Sequence, residues 1–344
     1  MTAPVRLAVI GCGRIAQIAH FPALEKADGI ELVAVCDPAE DIARAVATRY
    51  AVPAAYSDPR QVFDDPTIEA VLVAAPDRFH HTLAADALTA GKHVLVEKPL
   101  CSTVEQAREL VDLVDRTGLV LQVGAMKRHD AGMQFARRFV TEELGQVRTF
   151  TAWYRIGDLR AGIEATLFPR VYADAGVRQV EAGFKADRSR YLLATHGAHI
   201  FDTVRYLAGE VTSVVARHRD DGTDQAWQII LITDTGAIGT VSLTVDVPGQ
   251  PSEGIEVFGS DGTVRVDTHF PFYRRASTVH AYSAGRTVVP ELVDGDAYER
   301  QAEAFAATVR SGGRPVPDVR DGLAAVDLID AVAQAAETGR EIRC

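Results

Sequence analysis

The hexapeptide Gly11-Cys12-Gly13-Arg14-Ile15-Ala16 follows the apolar run Val5 to Ile10 and leads into a helical stretch, the pattern G-x-G-x-x-A. Gly11 permits a tight turn, Gly13 lets the backbone come close to a pyrophosphate, and Ala16 allows the helix to pack closely on the strand. The amides of the turn, including those of Cys12 and Ile15, then face phosphate oxygens. Asp37 closes the second apolar run, Val33-Ala34-Val35-Cys36. A carboxylate there can accept both ribose hydroxyls and repels a 2′-phosphate, which favours NAD over NADP. No arginine follows it in Pro38-Ala39-Glu40, and Arg14 on the turn could neutralise that phosphate only in part.

A second constellation lies in Gly91-Lys92-His93-Val94-Leu95-Val96-Glu97-Lys98-Pro99, an apolar strand that ends in two charged residues and a rigid one. In open α/β sheets ligands sit beyond the carboxyl ends of the strands, so Glu97 and Lys98 fall at the edge of a cleft and Pro99 fixes the turn. An ammonium beside a substrate hydroxyl lowers that hydroxyl's pKa and stabilises a developing alkoxide. The competing reading is a salt-bridged surface pair.

These residues need a scaffold, and the chain supplies its pattern. Up to about residue 123 short β-branched runs (Val5 to Ile10, Glu31 to Cys36, Ala70 to Ala74, His93 to Val96, Val120 to Val123) alternate with helical stretches. The clearest of the latter are Arg14 to Lys26, Pro38 to Tyr50, Phe79 to Ala90 and Val104 to Thr117. Unbroken apolar runs of this length are strands buried on both faces, which predicts a doubly wound, parallel α/β domain over 1–125. The remainder, 126–344, reads as an α+β domain with an open, mainly antiparallel sheet between Val211 and about Pro290. In it lie a helix over Asp130 to Leu144, a strand over Val147 to Arg155, an irregular segment through Arg190, and a helix around Gly197 to Leu207. Two closing helices, Asp296 to Arg310 and Asp321 to Thr338, can pack back on the first domain.

Composition narrows the function class. In 344 residues, 36 Lys and Arg stand against 47 Asp and Glu, a net charge of −11, which argues against nucleic-acid and membrane-surface partners. No run approaches a membrane span, and the four cysteines lack zinc-like or paired spacing, so no metal is expected and the cytoplasm is the expected compartment.

The order of these motifs resembles the Gfo/Idh/MocA family of NAD(P)-dependent oxidoreductases. The likeness is carried by Gly11 to Ala16, Asp37, the stretch Pro76-Asp77-Arg78-Phe79-His80, Ala90 to His93 leading to Glu97-Lys98-Pro99, and the tail from Phe305 through Asp321-Gly322. It implies a Rossmann domain followed by an open antiparallel sheet, with substrate bound between them, and places Pro76, His80, Glu97 and Lys98 near the cofactor. Thr195-His196-Gly197-Ala198-His199-Ile200-Phe201-Asp202 is similar to the family's D-x-G-x-H-x-x-D segment, in which the histidine is the catalytic acid/base. On that likeness His199 acts with Lys98, taking a hydroxyl proton as hydride leaves carbon. The family's first aspartate falls on Thr195, which can hydrogen-bond but cannot stabilise an imidazolium by charge. His196 is a further candidate, and Asp202, one turn on, could orient His199 instead. Asp174, Glu181, Lys185 and Asp187 are the charged groups of the irregular segment that could complete the site.

The resemblance points to sugars and cyclitols as substrates. The polar cluster Lys127-Arg128-His129-Asp130 suits a polyhydroxylated ligand, Trp153 and Tyr154 end the first sheet strand where an aromatic platform could stack on a pyranose, and Arg155, Lys185 and His199 are further substrate contacts. Alternatively Lys127 and Arg128 pair with acids and Trp153 belongs to the core, while Lys185 to Arg190 could instead cover a subunit interface. Two other functions fit the family pattern: a glycosidase that keeps NAD bound and works through a transient 3-keto sugar, and a non-catalytic nucleotide-sensing regulator. An open sheet leaves one face to cover, so a homodimer or homotetramer through it is expected.

Overall fold

The five apolar runs that should form the buried sheet do so, and a short sixth strand joins them at one edge. In the computed structural model, which describes residues 3–168, 171–172 and 187–344, they are β1 (Val5–Ile10), β2 (Ile30–Cys36), β3 (Ala54–Tyr56), β4 (Ala70–Val73), β5 (His93–Glu97) and β6 (Leu121–Gly124). All pair in parallel in the order β3-β2-β1-β4-β5-β6. The order reverses between β1 and β4, which is where such sheets open a crevice beyond their carboxyl ends. Every residue of β4 is buried, as the run of Ala, Val and Leu requires of a strand covered on both faces. Helices α1 (Phe21–Leu24), α2 (Glu40–Arg49), α3 (Pro59–Asp64), α4 (His80–Thr89) and α5 (Val104–Thr117) supply the cover. Thr103 caps α5 by accepting from the Gln106 amide, and Gly118, at φ 66°, ends it in the left-handed region. The short pieces β3 and α3 are additions to the pattern read from sequence, too brief to show a period.

The chain divides into two compact units. The first holds residues 3–125 and 298–326 together with 171–172; the second holds 126–168, 187–297 and 327–344. The second unit contains α6 (Ala131–Glu142), β7 (Val147–Gly157), α7 (Arg160–Leu167), α8 (Arg188–Ala208) and seven strands: β8 (Val211–Asp220), β9 (Gln225–Thr233), β10 (Ile238–Val247), β11 (Ser252–Gly259), β12 (Gly262–Thr268), β13 (Thr278–Ser283) and β14 (Arg286–Val288). The closing helices are α9 (Ala297–Ser311) and α10 (Val319–Thr338), followed by β15 (Ile342–Arg343). The second sheet runs β14-β13-β12-β11-β7-β10-β9-β8-β15, antiparallel throughout except for the parallel pair of β7 and β10. In the first unit Ala302, Phe305 and Ala306 of α9 pack with Val5, Leu7, Phe21 and Leu95.

One core in the second unit joins the inward face of the sheet (Phe150, Ala152, Tyr154, Ile156 on β7) to α6 and α8 through Met133, Phe139, Leu193, Phe201 and Val204. Two sequence expectations change here. The stretch after Arg155 is not irregular throughout: it holds α7, tied by the Arg160–Glu164 pair one turn apart. The helix carrying His199 is also longer than its apolar core suggests, because Asp187 caps it by accepting from the Arg190 amide and starts it at Arg188.

Candidate active site

In the first unit the glycine turn forms as its residue types require. Gly11 has φ 96°, and a side chain there would meet the backbone of Ala74 and Ala75 at 2.7 Å, so no larger residue fits. Gly13 is exposed, and its missing side chain would point into open space, leaving room along the backbone for a pyrophosphate. Beyond β2, Asp37 is oriented by two amides: Cys12 N–H donates to Oδ2 at 2.8 Å and Ala39 N–H to Oδ1 at 2.9 Å. The carboxylate is thus fixed at the crevice edge with lone pairs left for a ribose, and the cradle fits a dinucleotide. Arg14 stands exposed on the turn and Ile15 half-buried. The Cys12 thiol is buried, and burial, with the charge of Asp37 beside it, pushes it up so that it stays protonated.

The helix after the turn is not the plain α-helix its pattern predicts. Ala16 to His20 form a π-turn, a wider coil that buries all five residues before α1 begins. Gln17 from this turn donates to Cys12 O at 2.7 Å and to Tyr172 O at 2.8 Å, while the Tyr172 amide donates back to it at 2.8 Å. His20 Nε2 lies 2.8 Å from Glu97 Oε1, and its ring meets Tyr298 edge-on at 5.1 Å. The second Glu97 oxygen accepts the Lys98 amide at 3.1 Å.

Glu97, placed by the sequence at the crevice edge as a cofactor contact, is instead turned inward and buried. Burial pushes its carboxyl up, but the hydrogen bond from His20 and the positive fields of His20, Lys98 and His80 outweigh that and hold it below the usual carboxylate range. It acts as a brace for the half-buried Lys98 that follows. His80 is likewise buried, with Nδ1 2.7 Å from Pro99 O and Nε2 2.8 Å from Ala75 O, linking the turn after β4, where Pro76 lies, to the turn after β5.

In the second unit α8 presents His196 and His199, three residues apart, to one ring of β7. The Tyr154 ring stacks on His199 at 5.7 Å and 11°, and lies against His196 at 5.8 Å and 35°. Thr195 and His199 are half-buried and His196 is buried. Below Tyr154 the Lys127 ammonium sits 4.8 Å from the ring centroid and bonds to Glu253, which faces Tyr154 directly in the β11–β7 ladder. Burial pushes Lys127 down and Glu253 up, each against the pull of the other's charge.

The remaining sequence candidates are placed as follows. Lys127, Arg128, His129 and Asp130 are all buried, so they do not form an open polar mouth. The Arg128 guanidinium forks onto both oxygens of Asp202 at 2.7 to 3.1 Å, and Asp130 caps α6 while accepting from the Ser277 amide. Asp202, offered above as the orienter of His199, therefore receives Arg128.

Trp153 and Arg155 lie on the sheet face opposite Tyr154, since alternate residues of a strand point to opposite sides. There Trp153 covers Gly254, where a side chain would come within 2.3 Å of its ring, and carries Arg265 at 5.1 Å. They are corrected from substrate contacts to features of the outer face. Asp187 is spent as a helix cap. Asp174, Glu181 and Lys185 lie outside the described residues. The sequence set Tyr154 beside Trp153 in one aromatic platform, whereas the period-2 pattern Phe150, Ala152, Tyr154, Ile156 turns Tyr154 inward. Glu253 and His20 carried no local signal, because each is defined by a partner far away in the chain.

Comparison with known proteins accounts for this arrangement. Residues 5–125 match the family model for the oxidoreductase family with an NAD-binding Rossmann fold, and residues 133–265 match the Gfo/Idh/MocA C-terminal domain. The chain belongs to the Gfo/Idh/MocA family. It is an oxidoreductase with an NAD-binding Rossmann fold. Among its relatives, scyllo-inositol 2-dehydrogenase (NAD(+)) of Bacillus subtilis is 28% identical over 325 residues, covering 91% of this chain and 88% of the relative. D-glucoside 3-dehydrogenase of Escherichia coli is 26% identical over 368 residues, covering 99% and 98%. An NAD binding oxidoreductase from Klebsiella pneumoniae shares the fold with a TM-score of 0.82 at 19% identity, over 99% of both chains. Among the described residues no helix is long and apolar enough to cross a membrane.

Proposed function

We propose that this Gfo/Idh/MocA oxidoreductase oxidises a secondary hydroxyl of a sugar, sugar derivative or cyclitol, with His199 as the base and Lys98 as the cation that stabilises the alkoxide. The observation that carries the reading is the braced Lys98 at the carboxyl end of β5, in the same unit as the glycine turn and Asp37. Bound NAD supplies the acceptor for the hydride. His199 takes the hydroxyl proton and hydrogen leaves the carbon with both electrons of its C–H bond, so a ketone is left, while Lys98 lowers the hydroxyl's pKa and stabilises the alkoxide character that develops on its oxygen. Gly11, Gly13 and the turn amides hold the pyrophosphate, and Asp37 the adenosine ribose, whose 2′-phosphate it would repel. Inositol and glucoside dehydrogenases among the relatives support the substrate class.

Two coarser readings accompany it. The chain works as a homodimer or homotetramer joined through the outer face of the nine-stranded sheet, where Ile230, Ile238 and Tyr282 are exposed. Its compartment is the reducing cytoplasm, which suits the free buried thiols of Cys12, Cys36 and Cys101.

A panel of inositols, aldoses and glycosides offered with NAD and with NADP tests the function. NADH should appear with at least one polyol, and kcat/KM should be higher with NAD. No turnover across the panel would reject the substrate class, and a preference for NADP would reject the role of Asp37.

A further inference from the structure

Two features of the second unit converge on one ring. The plane of His199 runs parallel to the Tyr154 ring, 11° apart with centroids at 5.7 Å. Tyr154 is itself held: its backbone is laddered between Leu243 of β10 and Glu253 of β11, it is only 8% exposed, and the Lys127 ammonium lies against its ring.

We propose that Tyr154, backed by the Lys127–Glu253 pair, is a positioning residue of His199, orienting its imidazole by stacking. The inference rests on the assignment of His199 as the base. An imidazole on a half-buried helix face has a broad χ2 preference, and a flat wall narrows it to orientations in its own plane. The wall must not move, and that is what the pair below it provides. Glu253, opposite Tyr154 in the ladder, holds the ammonium against the ring, so the cation–π contact and the ion pair share one atom, Lys127 Nζ. The tyrosine's own proton plays no part: burial pushes the phenol up, away from any working pH. The ring is the functional element, so phenylalanine should serve and an aliphatic side chain of similar bulk should not.

The test compares Tyr154→Phe with Tyr154→Leu. Misorientation of the base should lower kcat of Tyr154→Leu by roughly tenfold to a hundredfold, with KM for NAD and thermal stability near those of Tyr154→Phe. Tyr154→Phe should recover most of the lost turnover. Full turnover in Tyr154→Leu overturns the proposal, as does a Tyr154→Phe variant that falls as far, which would put the hydroxyl on the substrate instead.

A second measurement needs no substrate. Ring protons of His199, assigned in NMR spectra by their loss in His199→Asn, should be shifted upfield by the tyrosine ring current and return toward ordinary values in Tyr154→Leu. An unchanged shift overturns the proposal even in an active enzyme. A wild-type protein that turns over no polyol but shows the shift rejects the assigned reaction and leaves the stacking intact.

Discussion

The roles proposed for Lys98 and His199 differ, and so do their environments. Lys98 follows a buried, ionised glutamate whose Oε2 accepts the lysine's own backbone amide, so the residue is anchored at the main chain while its side chain stays half-buried. His199 sits on a helix face against a neutral ring. Removing either group should therefore cost chemistry rather than cofactor affinity. We expect Lys98→Met and His199→Asn each to lower kcat by about 10²- to 10⁴-fold, the range for a lost acid–base group, with the NAD dissociation constant, read by quenching of tryptophan fluorescence or calorimetry, little changed. Near-wild-type turnover in either variant would remove that residue from the mechanism.

At the scale of elements the cofactor unit is closed by a strap from far along the chain. Arg310 of α9 forks onto both oxygens of Glu69, just ahead of β4, at 2.7 and 2.8 Å, and also donates to Ala3 O and Pro4 O. The Arg310 hydrogen bonds, opposed by partial burial and helped by the Arg6 amide, hold the Glu69 carboxyl down at about 2, against 4.5 unperturbed. A depressed folded-state value means the strap stabilises fully above the unfolded value and is lost as pH falls through the folded one. Glu69 is 37% exposed, so solvent screens the pair and its contribution shrinks. Arg310→Ala should lower unfolding free energy by about 1 kcal/mol at neutral pH, measured by urea denaturation. The difference from wild type should close between pH 4.5 and about 2. A gap that persists unchanged at the acid end would show that the guanidinium stabilises by packing alone.

For the whole molecule the outer face of the second sheet is the surface that the proposed assembly would cover. Ile238 is 53% exposed, Ile230 45% and Tyr282 49%, and the ladder pairs Ile238 with Thr149, Ile230 with Thr240, and Tyr282 with Thr263 on that face. Placing a charge there should break the proposed assembly: light scattering should report the wild type as a dimer or tetramer and Ile230→Asp/Ile238→Asp as a monomer. An unchanged mass would move the interface elsewhere.

Much of this was legible in the chain itself. The five long apolar runs, the glycine turn, Asp37 and Lys98 depend on local sterics and on burial of both strand faces, and these leave a period within one element. What each charge would hold was not legible. Lys127 meets Glu253 across 126 residues and Arg128 meets Asp202 across 74, so a cluster that reads as a ligand-facing mouth is committed to the unit's interior. Trp153 and Tyr154 are neighbours in sequence, and the strand sends them to opposite faces, one to the outer surface and one to His199. The amino-acid order by itself determined the elements and the cofactor turn, because those follow from neighbours a few residues apart. Only the tertiary structure decided which ring faces His199 and which acid takes which base, because sheet register and burial pair residues that no local pattern links.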